Sequence, residues 1–179
     1  MSSYKQEMKG ERAGWCRSVI CFVFGVCLAA CSVKYSFSGV DIAPDIETVS
    51  IKTFKNNASL VNLKLSNELT NKLKEKFISQ TKLIVTEGNG DLQFEGQITQ
   101  YNVTATAVGS DKAAMNRLTI TVQVSFVNTK DAKKSYDTQF SRYADFSSSQ
   151  TLEQVQDALV GEIVEALVDD IFSKAVTNW

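Results

Sequence analysis

The four cysteines, whose thiols could hold a metal, form disulfides or carry a covalent group, all lie at one end of the chain. They are Cys16, Cys21, Cys27 and Cys31, in a sequence of 179 residues. A disulfide framework or a zinc site would need ligands spread around a fold. The clustering therefore argues against both and indicates that the N-terminus is a segment separate from the folded domain.

The cysteines lie in and around an apolar run that follows a basic start. Residues 1–18 carry four basic and two acidic side chains, a net charge of +2, and residues 19–30 are all apolar or small. As a helix this run would be roughly 18 Å long, whereas a bilayer core of about 30 Å needs about 20 apolar residues. The pattern is typical of a secretory signal, and it predicts a targeting segment at residues 1–30.

The last four residues around the predicted cleavage point are Leu28, Ala29, Ala30 and Cys31. They resemble the lipobox of bacterial lipoproteins, which implies cleavage between Ala30 and Cys31 and a diacylglycerol on the Cys31 thiol. The alternative is an ordinary signal peptide, which would leave Cys31 as a lone thiol in an oxidising compartment. Ser32 in place of the aspartate of the inner-membrane retention signal favours the outer membrane, and the lack of an acidic run after Cys31 favours its periplasmic side. We therefore expect residues 31–179 to form one domain whose first residues, 31–46, tether it to a membrane surface. The domain itself is not expected to span the membrane.

The composition excludes several kinds of function. The chain contains no histidine, which removes Ser-His-Asp and Cys-His catalysis and His-ligated catalytic zinc. Its 19 basic and 20 acidic residues argue against nucleic acid as the main partner. Gly88 and Gly90 lack the third glycine of a dinucleotide loop, and Asp169 and Asp170 are helix neighbours that point apart. Ser-Lys catalysis remains possible because the chain has many serines and lysines, but no spacing singles out a pair. We therefore predict neither an enzyme nor a cofactor.

The elements that position these residues follow from hydrophobic periodicity. Four-residue spacing from Leu65 to Phe77 predicts one amphipathic helix, and the stripe from Leu152 to Ile171 predicts a second of about 25 residues. Alternation predicts the strands, with a slip of phase after Gln100 that indicates a bulge. The predicted ranges are helix 59–80 and strands 48–54, 83–86, 92–99 continuing through 101–105, 118–126 and 136–140. Together they predict an α+β, two-layer sandwich: a mixed or antiparallel sheet of about four to five strands, with two helices on one face.

The other face of this sheet is polar and almost uncharged. The alternating strand at residues 118–126 directs Thr119, Thr121, Gln123 and Ser125 to that face. One interpretation is a solvated sheet face in which threonine is favoured by its β-propensity. The other is a hydrogen-bonding face that docks on a polar wall, such as the lumen of a large membrane β-barrel.

Five basic residues lie near the ends of the long strands. They are Lys112, Arg117, Lys130, Lys133 and Lys134. If the strand between them pairs with its sequence neighbours, the first two lie at the opposite end from the other three. Either group could bind lipid phosphates through charge-assisted hydrogen bonds, or both could be ordinary solvated turn charges.

Placed on these elements, the chain resembles the LptE family of lipopolysaccharide-assembly lipoproteins. The resemblance runs through Cys31, residues 35–39, 48–54 with 56–57, 90–96 with Ile98 and Tyr101, 117–122, 140–146 and the closing residues 174–179. It implies a non-enzymatic protein that is anchored in the outer membrane, sits as a plug inside an LptD-type barrel, helps that barrel to assemble and assists lipopolysaccharide transport. A lipid-anchored periplasmic adaptor of a secretion or envelope-stress system is the alternative.

Overall fold

Two parallel strands and a helix between them begin the folded part of the chain, and three antiparallel strands and a second helix complete it. The computed structural model describes residues 42–58, 62, 64–106 and 114–177, all within the compact unit Ser38–Trp179. Along the chain the elements are β1 (Thr48–Ile51), β2 (Lys55–Asn56), α1 (Leu65–Gln80), β3 (Ile84–Thr86), β4 (Leu92–Thr106), β5 (Met115–Asn128), β6 (Tyr136–Ser147) and α2 (Leu152–Thr177). The predicted α+β class is confirmed, and the order strand, helix, four strands, helix holds apart from the short additional strand β2.

The sheet has the strand order β3-β1-β4-β5-β6, with the short β2 also paired to β4. β1 is parallel to both β3 and β4, whereas β4, β5 and β6 form an antiparallel meander. The prediction of about four to five strands omitted β2, whose two residues carry no readable pattern. The predicted bulge exists, with the register shift between Ile98 and Gln100.

Several predicted boundaries differ from the structure; the strand predicted at 118–126, for example, extends from Met115 to Asn128. The first strand ends at Ile51 rather than Phe54; the Phe54 amide donates to the Thr70 hydroxyl at 3.1 Å instead of to a neighbouring strand, and the buried Phe54 ring covers Gly96. The last strand does not stop at Phe140 but continues to Ser147. The first helix begins at Leu65, and positions 59–61 and 63 of the range predicted for it lie outside the described residues.

A single hydrophobic core lies between the sheet and both helices. The predicted stripes are buried on α1 at Leu65, Leu69, Leu73 and Phe77 and on α2 at Leu159, Ile163, Leu167 and Ile171. Aromatic rings link the layers: Phe77 lies 5.2 Å from Phe94 and 5.0 Å from Phe172 between ring centroids. Burial of each large apolar side chain contributes about 1.5–3 kcal/mol, so this seam between the layers is the main source of stability.

The second helix starts as its sequence predicts. The Gln154 side-chain oxygen accepts a hydrogen bond from the Thr151 amide at 3.0 Å, which is one half of a capping box. The helix then continues for 26 residues. Within the described ranges, neither helix combines the length and the apolar composition that a bilayer crossing requires.

Candidate docking face

The side chains opposite the helices form one continuous surface, which we call the open face. It consists of five rows across β4, β5 and β6. The rows are Glu95 with Ser125 and Asp137, Gln97 with Gln123 and Gln139, Gln100 with Thr121 and Ser141, Asn102 with Thr119 and Tyr143, and Thr104 with Arg117 and Asp145. The predicted residues Thr119, Thr121, Gln123 and Ser125 therefore do share one face, while Thr99 is displaced from its row by the bulge and Gln100 takes its place.

The middle of the open face is held by hydrogen bonds between side chains. The Thr121 hydroxyl donates to Gln100 Oε1 at 3.1 Å and lies 3.0 Å from the Ser141 hydroxyl. Gln100 in turn donates to Asn102 Oδ1 at 3.0 Å. Only 3% of Thr121 is exposed, so this residue organises its neighbours rather than presenting a contact of its own.

One end of the open face carries a shallow concavity of about 400 Å³. Lys52 forms an ion pair with Glu95 across it, and Gln123 donates a hydrogen bond to Asp137. Asn57 donates to Gln97 at 2.7 Å beside this pair. Among the described residues, no group of three or more carboxylate, thiol or imidazole side chains could hold a metal ion. The concavity therefore offers amides and paired charges, which suit a polar protein surface.

The other end of the face is organised by Arg117. Its guanidinium donates to both carboxylate oxygens of Asp145, at 2.7 and 2.8 Å, and its carbon lies 3.6 Å from the centroid of the Tyr143 ring. The hydrogen bond from Arg117 lowers the pKa of Asp145, and the same bond raises the pKa of Arg117. Arg117 is thus bridged to Asp145 and stacked on Tyr143 of its own sheet.

Lys130, Lys133 and Lys134 lie at the opposite end of β5 from Arg117, as expected from its pairing. Lys130 forms a 3.1 Å ion pair with Asp91, and Lys134 lies 3.9 Å from Asp131. Lys133 is exposed in the turn between β5 and β6. Lys112, and with it Ala30 and Cys31, lies outside the described residues. Arg117, Lys130 and Lys134 thus all have acidic neighbours, and lipid contact at these residues stays a prediction.

Asp91 is a structural anchor that the sequence did not single out. Its Oδ2 accepts hydrogen bonds from the Thr48 hydroxyl at 2.8 Å, the Thr48 amide at 3.0 Å and the Glu47 amide at 3.1 Å. The Thr48 hydroxyl bond, the Glu47 amide and Lys130 together hold the pKa of Asp91 well below its usual range. The carboxylate ties the start of β4 to the start of β1, and the only signal in the sequence was its place after the glycines of a turn.

Two further ion pairs connect α2 to its neighbours, and neither was predicted from the sequence. Arg142 on β6 donates to both oxygens of Asp170, at 2.6 and 2.5 Å, and Lys76 on α1 lies 2.7 Å from Asp169. The adjacent aspartates therefore diverge to separate partners, as their helix positions predicted. No pair of this kind can be read from spacing, because the partners lie on different elements.

The fold and face define a two-layer α+β domain with one covered and one open, polar sheet surface. A family model for LptE, described as lipopolysaccharide-assembly, matches residues 46–175. The chain belongs to the LptE family, and its role lies in lipopolysaccharide assembly. The resemblance found in the sequence is thereby confirmed.

Solved structures share the fold at low sequence identity. A minor lipoprotein from Acinetobacter baumannii matches with a TM-score of 0.51 and 13% identity, over 74% of this chain and 94% of that one. A hypothetical protein from Chlamydia trachomatis matches with a TM-score of 0.51 and 12% identity, over 72% and 95%. The comparison with curated proteins found no match. At these identities the structural matches support the fold alone.

Proposed function

We propose that this protein is a non-enzymatic outer-membrane lipoprotein whose open face docks inside an LptD-type barrel. There it plugs the barrel, helps it to assemble and assists the transport of lipopolysaccharide to the cell surface. The observation that carries the proposal is the open face, which is polar, hydrogen-bonded within itself and left uncovered by both helices.

The charge arrangement of the open face suits such a partner. Glu95 is paired with Lys52 and Asp145 with Arg117. Each of these carboxylates would therefore remain neutralised when a partner covers the open face. An unpaired charge removed from water costs far more than a paired one. The lumen of a large membrane barrel is itself polar, and the amides and hydroxyls of the open face can exchange their bonds to water for bonds to such a wall.

Copurification with crosslinking tests the docking. A photoreactive residue is placed at Thr119, Gln123 or Ser125, and in a control at Asn71, which is exposed on α1. We expect crosslinks to a large outer-membrane barrel from the three open-face positions and none from Asn71. Equal crosslinking from all four positions would place the contact elsewhere. A tagged chain that captures no barrel would favour the lipid-anchored adaptor.

The proposed anchor is acylated Cys31, with cleavage after Ala30. Radiolabelled palmitate should enter the wild-type protein and the Cys27→Ala control equally, because Cys27 would leave with the signal. Cys31→Ala should take up none. Equal labelling of Cys31→Ala and wild type would refute the lipid attachment.

The lipid contacts are tested by charge reversal of one cluster at a time. In the first variant Lys112 and Arg117 are replaced by Glu. In the second, Glu replaces Lys130, Lys133 and Lys134. A Lys82→Glu variant, changed at an exposed position before β3, serves as the control. Weaker lipopolysaccharide binding by one cluster variant and not by the control would assign that cluster. Unchanged binding in both would remove these residues from the lipid pathway.

A further inference from the structure

The outer edge of β6 is long, regular and without a partner strand in the part of the chain that the structure describes. β6 spans 12 residues and pairs only with β5, in one unbroken register from Tyr136 to Ser147. Strands usually have about 5–6 residues, and exposed edges are usually shortened, bulged or interrupted by proline. β6 is neither short, bulged nor interrupted by proline, since its register is unbroken and the chain's one proline is Pro44. Its charged side chains are Asp137, Arg142 and Asp145, and the last two are paired with residues of this chain.

The direction of the free backbone groups follows from the ladder. The Ser148 amide donates to the Ala114 carbonyl at 3.1 Å, which makes 148 and 114 a hydrogen-bonded pair. Since such pairs alternate with non-bonded ones along an antiparallel ladder, the even-numbered residues of β6 bond to β5. The odd-numbered residues then direct both N–H and C=O away from the sheet. They are Asp137, Gln139, Ser141, Tyr143 and Asp145, whose side chains also belong to the open face.

The charged residues of β6 differ in whether they have an ion-pair partner. Asp145 is neutralised by Arg117, and Arg142 is drawn onto α2 by Asp170. Asp137 accepts a hydrogen bond from the Gln123 amide and forms no ion pair within the described ranges, although Lys52 and Lys55 line the same concavity. A strand laid along the edge would therefore meet one acidic end at Asp137, followed by neutral positions at Gln139 and Ser141.

We propose that the edge of β6 is a strand-addition site for an extended segment of the barrel partner, with a basic side chain opposite Asp137 and polar side chains opposite Gln139 and Ser141. This inference rests on the proposed function and deepens it. The open face supplies the side-chain contact, and the adjoining edge supplies main-chain hydrogen bonds, which give affinity to added strands. The barrel segment becomes the next strand of the sheet.

The test uses a substitution that removes one outward amide and leaves the β5 ladder intact. Gln139→Pro deletes an N–H that points away from β5, a place where edge strands tolerate proline. Gln139→Ala removes the same side chain and keeps the N–H, so the comparison isolates the amide. We expect Gln139→Pro to capture about tenfold less barrel than Gln139→Ala, because a hydrogen bond is lost and the ring crowds the added strand.

Amide hydrogen exchange provides a second measurement that does not depend on the variants. In the free wild-type protein, the even-numbered amides of β6 should be protected and the odd-numbered ones should exchange rapidly. In the complex, the amides of Gln139, Ser141 and Tyr143 should slow at least tenfold. Equal capture by both variants, with unchanged odd-numbered amides, would overturn the edge assignment. The open-face crosslinks would still stand in that case.

Two other results also have defined meanings. Failure of the wild-type chain to capture any barrel would refute the proposed function together with this inference. Slowing of the odd-numbered amides as the concentration of the protein alone is raised would identify a second copy of this chain as the occupant. That result would overturn the assignment to the barrel while leaving the open-face contact to be judged by its own crosslinks.

Discussion

Replacement of Gly96 by alanine is expected to destabilise the domain, because the site for a side chain at this position is already occupied. A Cβ atom there would lie 2.5 Å from Cε1 of Phe54 and 2.7 Å from the carbonyl oxygen of Gln123. Phe54 is 1% exposed, so its ring has nowhere to move inside the core. The backbone of β5 on the other side of Gly96 is fixed by pairing on both of its edges.

The size of the effect can be worked from these contacts. Overpacking of a close-packed core costs about 1–3 kcal/mol, and partial expulsion of a phenylalanine ring forfeits part of a further ~1.5–3 kcal/mol. We expect Gly96→Ala to lower the free energy of unfolding by about 2–4 kcal/mol. Urea denaturation followed by circular dichroism should show the midpoint falling by about 0.7–4 M, given slopes of about 1–3 kcal/mol per molar.

A matched glycine and a double variant test the cause. A Cβ at Gly161, within α2, would meet nothing within 4 Å, so Gly161→Ala should stabilise by about 0.5–1 kcal/mol. In a Phe54→Ala background, the cost of Gly96→Ala should fall by at least ~1 kcal/mol, with the rest due to the Gln123 carbonyl. Additivity of the two substitutions to within about 0.5 kcal/mol would refute the reasoning.

Three further changes have defined outcomes. Gly90→Ala should lower the urea midpoint at least as much as Gly96→Ala, since its Cβ would lie 2.7 Å from the backbone nitrogen of Ser50 and neither backbone can yield. The depressed pKa of Asp91 means that its stabilisation is complete above the ordinary pKa of about 3.9 and is lost as pH falls toward the folded value. The stability difference between wild type and Asp91→Asn should therefore be large at pH 7 and shrink in acid titrations of the unfolding midpoint; a difference independent of pH would contradict this. Arg142→Asp should lower the thermal midpoint by opposing Asp170, and adding Asp170→Arg should restore most of the loss; no recovery in the double variant would show that the pair is not the cause.

Strands of the sheet could be predicted where apolar and polar residues alternate without a break. The end of β6 was missed because a charged residue, Arg142, stands at one of its inward positions. From Leu118 to Phe126 every second residue is apolar and buried, and this strand was placed correctly. In β6 the inward sequence runs Phe140, Arg142, Ala144, and the arginine made the strand seem to end. Arg142 is tolerated on the helix side because Asp170 neutralises it, a contact between residues 28 apart.

The open face could be predicted in part for a similar reason. A period of two assigns Thr119 to Ser125 to one side without knowledge of any partner strand. The rows across the face depend on register, and the bulge shifts that register between Ile98 and Gln100. The bonding of Thr121 to Gln100 and Ser141 could not be foreseen, nor could the pairing of Arg117 with Asp145. The sequence left open whether the basic residues contact lipid or solvent, and it did not indicate the acidic neighbours of Arg117, Lys130 and Lys134.

The parallel pairing of β1 with β4 has a consequence for the order in which the chain folds. Thr48 and Asp91, which join those strands, are 43 residues apart, whereas Thr106 and Met115 across the β4–β5 ladder are 9 apart. Closing the longer loop costs about 1.4 kcal/mol more chain entropy. The β4–β5–β6 meander should therefore form the folding nucleus, and β1 should join after the rate-limiting step. Substitutions at Thr48 would then mainly speed unfolding, whereas substitutions inside β5 would slow refolding.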